Sequence, residues 1–172
     1  MSPSRTPDRV LLIGMMGAGK TTVGHALSSL LGWPYFDNDE LLKRAVGKDT
    51  RRVQLEDGER ALRRAESAAL NVALSEGGPL IGGVAAGIVL DPLDVQRLRE
   101  GGFVVWLRAD LSTLAARVAG TDRPWLGDDP LQALEKLSAG RDTLYQSVAS
   151  LIVDVDELPP DLIADRIAGA LA

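Results

Sequence analysis

Eight residues, Gly14-Met-Met-Gly-Ala-Gly-Lys20-Thr21, narrow the folds open to this chain more than anything else in it. They follow a short apolar run, Arg9 to Ile13, and open a helical pattern in which Val23, Ala26, Leu27, Leu30 and Leu31 recur until Gly32. The octapeptide fits G-x-x-x-x-G-K-[ST], and that pattern has meaning only between a strand and a helix, as here. Its glycines let successive backbone N–H groups turn inward, and the following helix presents the positive end of its dipole to the same spot. A phosphate group is the natural occupant. Gly17, Ala18, Gly19, Lys20, Thr21 and Thr22 are therefore the expected nucleotide site, with Lys20 reaching the β- and γ-phosphates and the Thr21 hydroxyl ligating magnesium. ATP and Mg2+ are the expected small molecules.

The remainder of the chain agrees with that context. Arg9 to Ile13 lacks alternation, which suits a strand buried on both faces. Further strands are predicted at 33–36, 80–81, 103–107 and 151–153, and helices at 40–46, 57–74, 111–118, 131–149 and 162–171, with another starting at Asp91-Pro92. The alternation predicts an α/β fold: a five-stranded parallel sheet with helices on both faces, the three-layer sandwich of a P-loop kinase. Residues 1–172 read as one domain without a linker. The loop at about 120–130, with its glycines, proline and cation, reads as a mobile lid, and residues 39–74 as substrate-binding helices.

Composition excludes several chemistries. There is no cysteine and a single histidine, His25, so disulfides, thiolate metal sites and histidine clusters are out. A net charge of −5 disfavours nucleic acid and anionic membranes as partners. No run approaches the ~18 apolar residues of a membrane span. The amino-terminal MSPSRTPDR has no apolar signal region behind it and reads as a disordered lead-in. A cytoplasmic, monomeric protein with a small-molecule partner is expected.

Many phosphate-loop ATPases and GTPases hold magnesium with an aspartate at the tip of an apolar strand. Here the third strand runs into glycines and the fourth into Arg108. The available acids are Asp37 and Asp39, after the second strand. In a parallel sheet the strand ends share one edge, so both fall beside the phosphates. That favours a small kinase over a motor or a switch. The bland reading of the two acids is a turn with a helix cap.

With these landmarks, and with Asp57-Gly-Glu59, Leu62-Arg63-Arg64-Ala65-Glu66, Asp122-Arg123-Pro124 and Arg141-Asp-Thr-Leu-Tyr145, the chain resembles the shikimate kinase family over nearly its whole length. The resemblance implies a kinase acting on a hydroxyl of a polyhydroxylated carboxylate, with shikimate converted to shikimate 3-phosphate. It implies that Asp39 receives the hydroxyl proton and binds the ring, and that Asp37 helps hold magnesium through water. Arg63 and Arg141 would grip the carboxylate, with Gly87 against the substrate. Arg123 would neutralise the transferring group from the lid, and Arg117 would lie against adenine. The residues themselves fit these roles. Arg63 and Glu66 are three apart on a helix and share a face. A planar guanidinium matches a carboxylate in a fork, as lysine does not. Taken singly, each arginine could be a solvated surface residue, and Arg117 could pair with Asp110 or Asp122. His25 is expected in solvent and Trp106 in the core, while Trp125 either shields the site or is exposed.

The chain departs from the family pattern in three places. Aligned through Leu90-Asp91-Pro92, Ala85-Ala86-Gly87 stands where the family has three glycines. An alanine forced into a left-handed conformation there would carry ~1–2 kcal/mol of strain, and its methyl would intrude on the pocket. Gly82-Gly83 could take over with a shifted loop. Two aromatic wall positions become Gln54 and Leu62, and the segment Lys48 to Arg52 is unusually basic, so Arg51 or Arg52 could meet an extra anionic group. Two alternatives therefore stand beside shikimate: a related kinase for another cyclitol, sugar acid or polyol, and a catalytically inactive nucleotide-binding module.

Overall fold

The computed structural model describes residues 7–172; residues 1–6 of the expected lead-in lie outside them. Five strands form one sheet: β1 (Arg9–Ile13), β2 (Tyr35–Phe36), β3 (Leu80–Gly83), β4 (Phe103–Arg108) and β5 (Leu151–Asp154). Their order is β2-β3-β1-β4-β5, and every neighbouring pair is parallel. β1 is central, and Val10 to Ile13 are wholly buried, which is why that run carries no polar alternation.

The helices are α1 (Lys20–Leu31), α2 (Asn38–Val46), α3 (Thr50–Asp57), α4 (Glu59–Ser75), α5 (Pro92–Gly101), α6 (Leu111–Val118), α7 (Pro130–Ser138), α8 (Arg141–Val148) and α9 (Pro160–Leu171). α1 packs on α9, while α4 and α8 each pack against α5. The result is the α/β P-loop kinase fold expected from the sequence. Among the described residues no helix is long and apolar enough to cross a membrane.

The helix expected at 57–74 begins at Glu59, and a separate helix, α3, precedes it. Asp49 caps α3 by accepting from the Arg52 amide at 2.8 Å. Polar residues dominate α3, so it has little apolar periodicity to reveal it. The helix expected at 131–149 is two, α7 and α8, parted at Gly140, whose φ of 77° is a left-handed value that ends a helix. Inside the expected lid, Pro124–Leu126 form a 3-10 turn that buries Leu126.

Two apolar clusters position the site. The larger surrounds the sheet and holds the strand ends in register. The smaller, around Leu41, Leu42, Val53, Leu62 and Ala69, binds α2, α3 and α4 into one unit beside β2. The loops that leave β1, β2 and β3 thereby open onto a common edge.

Candidate active site

That edge carries a cleft of about 1240 Å³, walled by the phosphate loop, the N-terminal ends of α2 and α3, one face of α4, the segment after β3, and residues 122–129 of the lid. Gly17, Gly19, Lys20, Thr21, Thr22, Asp37, Asp39, Arg63, Gly87, Arg117, Arg123 and Arg141 all line it. Ala18 is the exception: its side chain is 1% exposed and its amide donates to the Met15 carbonyl at 3.1 Å. It shapes the loop from beneath, with its methyl in the core and its amide spent on a turn within the loop.

Lys20 donates through Nζ to the Gly14 carbonyl at 2.7 Å and the Met15 carbonyl at 3.1 Å. Burial, and secondarily the charge of Arg123, push its pKa down from 10.5 to about 8, against a smaller opposing pull from Glu66. Phosphate favours the charged form, so nucleotide binding should restore the proton. At pH 8.5 ATP binding is expected to take up as much as roughly three-quarters of a proton. Calorimetry in two buffers of different ionisation enthalpy measures this, and the Lys20→Met variant should lack that uptake. Equal heats in both buffers would show that Lys20 is already charged in the free protein.

Asp37 caps α2, accepting from the Glu40 amide at 2.8 Å through Oδ1. The cap anticipated as an alternative is thus real, and it engages Oδ1 of a residue that also lines the cleft. Asp39, in the first turn of α2, is exposed to the cleft and accepts the Thr50 amide at 3.1 Å and the Thr50 hydroxyl, both through Oδ1.

Two arginines line the same cleft. Arg63 donates to Glu66 at 2.8 Å and more weakly to Glu59 at 3.4 Å. Glu66 is buried, and burial pushes its carboxyl up, with the Arg63 charge the main opposing pull. Arg141 is 5% exposed; it donates to the Met15 sulfur at 3.9 Å and also interacts with the Tyr145 hydroxyl. Among the described residues no carboxylate lies within ion-pair distance of it. Glu66 acts on it only at longer range and is already paired with Arg63. A buried guanidinium without a directly paired counter-ion is costly, so this one is suited to an anionic ligand.

The segment after β3 resolves the first departure. Among the described residues no non-glycine residue has a positive φ, so Ala85 and Ala86 carry no left-handed strain. Gly82 and Gly83 remain in β3 rather than shifting into the loop. The Tyr145 hydroxyl donates to the Ala86 carbonyl at 2.5 Å and fixes the turn. Burial pushes the pKa of that phenol up to about 12, so it remains a donor. Gly87 matters for a different reason, as it leaves the space Arg63 occupies: a Cβ there would lie 1.9 Å from Arg63 Nη1. Gly87→Ala is therefore expected to displace the guanidinium and raise the acceptor KM roughly 5- to 30-fold, about 1–2 kcal/mol. Steady-state kinetics that left KM unchanged would show that Arg63 has no part in acceptor binding.

At the other end, Arg117 donates to the Gly17 carbonyl at 3.2 Å and the Val155 carbonyl at 3.1 Å. It does not pair with Asp110 or Asp122; Asp122 instead meets Arg51 at 3.0 Å. Arg123 is held at the lid by Thr121 at 2.8 Å. Trp125 lines the cleft while 37% exposed. Trp106 is in the core, and His25 is exposed with its ring edge on Tyr35. Gln54 and Leu62 both line the cleft. Of the basic pair on α3, Arg51 lines the cleft and bridges to the lid, while Arg52 is exposed and pairs with Glu56. Thr50, absent from the expected site, enters it as the first residue of α3, a polar helix whose one local signal in the sequence is the cap Asp49.

The shikimate kinase family profile matches residues 16–172. A shikimate kinase of Halorhodospira halophila is 35% identical over 173 residues, covering 99% of this chain and 97% of that one. One from Marinomonas sp. is 33% identical over 165 residues, covering 94% and 91%. The shikimate kinase of Acinetobacter baumannii, solved in complex with shikimate, superposes with a TM-score of 0.87 at 30% identity, over 95% of this chain and 92% of that one. Full-length agreement in sequence and in backbone, on top of a cleft reached independently from its residues, means that the chain belongs to the shikimate kinase family.

Proposed function

We propose that the protein transfers the γ-phosphoryl group of ATP to a hydroxyl of shikimate, giving shikimate 3-phosphate and ADP. The observation that carries this reading is Arg141, a buried cation lacking a carboxylate partner, on the same cleft as Arg63, Asp39 and Lys20. The carboxylate of the acceptor supplies the missing counter-ion. An uncharged sugar or nucleoside would leave it unpaired.

The acceptor oxygen attacks the γ-phosphorus as the bond to the β–γ bridging oxygen breaks, and ADP departs with that electron pair. The hydroxyl proton passes to Asp39. The transition state is loose, so the work of the protein is positioning and charge neutralisation. Lys20 answers the charge on the β- and γ-oxygens, and Arg123 reaches the transferring group from the lid. Arg63 and Arg141 hold the carboxylate so that the ring hydroxyl faces Asp39, and Arg117 flanks the base end of the nucleotide. Every one of these groups comes from one chain, so a monomer suffices.

Among the described residues no cluster of three or more His, Cys, Asp or Glu could cage a metal. Magnesium needs no such cage, since it keeps waters and takes phosphate oxygens with one or two protein ligands. Thr21 and Asp37, both on the cleft, fit that demand and would hold it. When bound, magnesium neutralises charge on the β- and γ-phosphates.

An ADP-release assay with ATP and magnesium tests the reading on shikimate, gluconate and a neutral cyclitol. Strong stimulation by shikimate is expected, with little by the other two. Stimulation by the neutral cyclitol alone would remove the carboxylate grip, and no stimulation by any acceptor would favour an inactive nucleotide-binding module.

A further inference from the structure

We infer that Thr50 is a positioning residue for phosphoryl transfer, holding Asp39 so that one defined carboxylate oxygen meets the acceptor. The inference rests on the base role proposed above for Asp39. Thr50 is the first residue of α3 and Asp39 lies in the first turn of α2, so the contact joins two helices across the mouth of the cleft. Both donors of Thr50, its amide and its hydroxyl, converge on Asp39 Oδ1. Among the described residues nothing bonds Oδ2. One oxygen is clamped and the other is left for the acceptor hydroxyl.

The clamp matters because Asp39 is exposed to an open cleft. An untethered surface aspartate spreads over several rotamers, and productive alignment then carries an entropic cost at each turnover. Two donors on one oxygen remove that freedom before the acceptor arrives. The hydroxyl is itself oriented: Asn38 Nδ2 approaches Thr50 Oγ1 at 3.4 Å, so its lone pair faces the amide and its proton faces Asp39. Neither Asn38 nor Thr50 reads as functional in isolation. The juxtaposition arises only because the caps at Asp37 and Asp49 set two helix starts side by side.

The test compares Thr50→Val, Thr50→Ser, Asp39→Asn and the Thr50→Val/Asp39→Asn double variant, using the acceptor the wild type turns over. Thr50→Val keeps the backbone donor and the shape but loses the hydroxyl. It is expected to lower kcat about 10- to 100-fold, as for loss of a hydrogen bond to a charged group, with a smaller change in acceptor KM. Thr50→Ser should restore kcat. In the Asp39→Asn background, Thr50→Val should cost nothing further, which a purely structural role would not produce. Wild-type kcat in Thr50→Val, or equal losses in the Val and Ser variants, overturns the inference while leaving the base role of Asp39 intact. Full turnover in Asp39→Asn overturns the base role, and Thr50 with it. If Thr50→Val does not fold, Thr50→Ala is read on the same scale.

Discussion

Asp39→Asn is expected to lose on the order of 10²–10⁴ in turnover with ATP binding little changed. The substitution keeps size and shape, and the cap of α2 belongs to Asp37, so the helix should be undisturbed. What disappears is an oxygen able to take the acceptor's proton: an amide in that place is no base. ATP should bind nearly as before, because the contacts proposed for it, the loop amides and Lys20, are set by β1 and α1. The measurement pairs kcat from ADP release with an ATP dissociation constant from calorimetry. Undiminished turnover would leave Asp39 as a ring contact only. A parallel loss of ATP affinity would place the carboxylate's main role at the metal and phosphates.

The second large effect is at the paired arginines. Arg63→Ala should raise the acceptor KM by a factor corresponding to ~2–4 kcal/mol, the range for losing one partner of a desolvated charge pair. Arg141 permits a sharper experiment. Its guanidinium is buried with no carboxylate in ion-pair contact: Glu66 acts on it only at longer range and is itself paired with Arg63, so in the free protein the charge is incompletely compensated. Exchanging a buried ion for an apolar side chain of similar volume is often neutral or stabilising. Arg141→Met is thus expected to raise KM steeply while the thermal midpoint of the free protein stays level or rises. An arginine kept for structure would behave oppositely, with a lower midpoint and a KM near wild type. An unaltered KM in both arginine variants would refute the carboxylate grip.

Much of the site was legible because its residues sit where local rules and the sheet edge coincide. The phosphate loop is contiguous, and strand–loop–helix context is written in the residues on either side of it. Asp37 and Asp39 follow a strand directly, so a parallel sheet must bring them to the loop. The helix-spaced Arg63 and Glu66 pair as their spacing requires, at 2.8 Å. What escaped was carried by elements without an apolar signature. α3 is mostly polar, so periodicity could not find it, and with it went Thr50 and the Arg51 bridge to Asp122. The break at Gly140 was likewise hidden within one continuous helical pattern. Ala85 and Ala86 are accommodated for a geometrical reason: the turn after β3 uses ordinary negative φ, and within it a side chain at Gly87 would have to displace the Arg63 guanidinium.

Sequence alone thus determined the class of chemistry, since a phosphate cradle is a property of consecutive backbone groups and one lysine. It also determined the sheet, because runs such as Arg9 to Ile13 can be buried only between two layers of helices. The tertiary structure decided which lone charges have partners. Arg117 turns to carbonyls, Arg51 reaches the lid, and Arg141 lies buried with no acid in ion-pair contact. Pairing depends on distances between helices that are far apart in the chain, and those distances follow from how two apolar clusters pack, which no local pattern encodes.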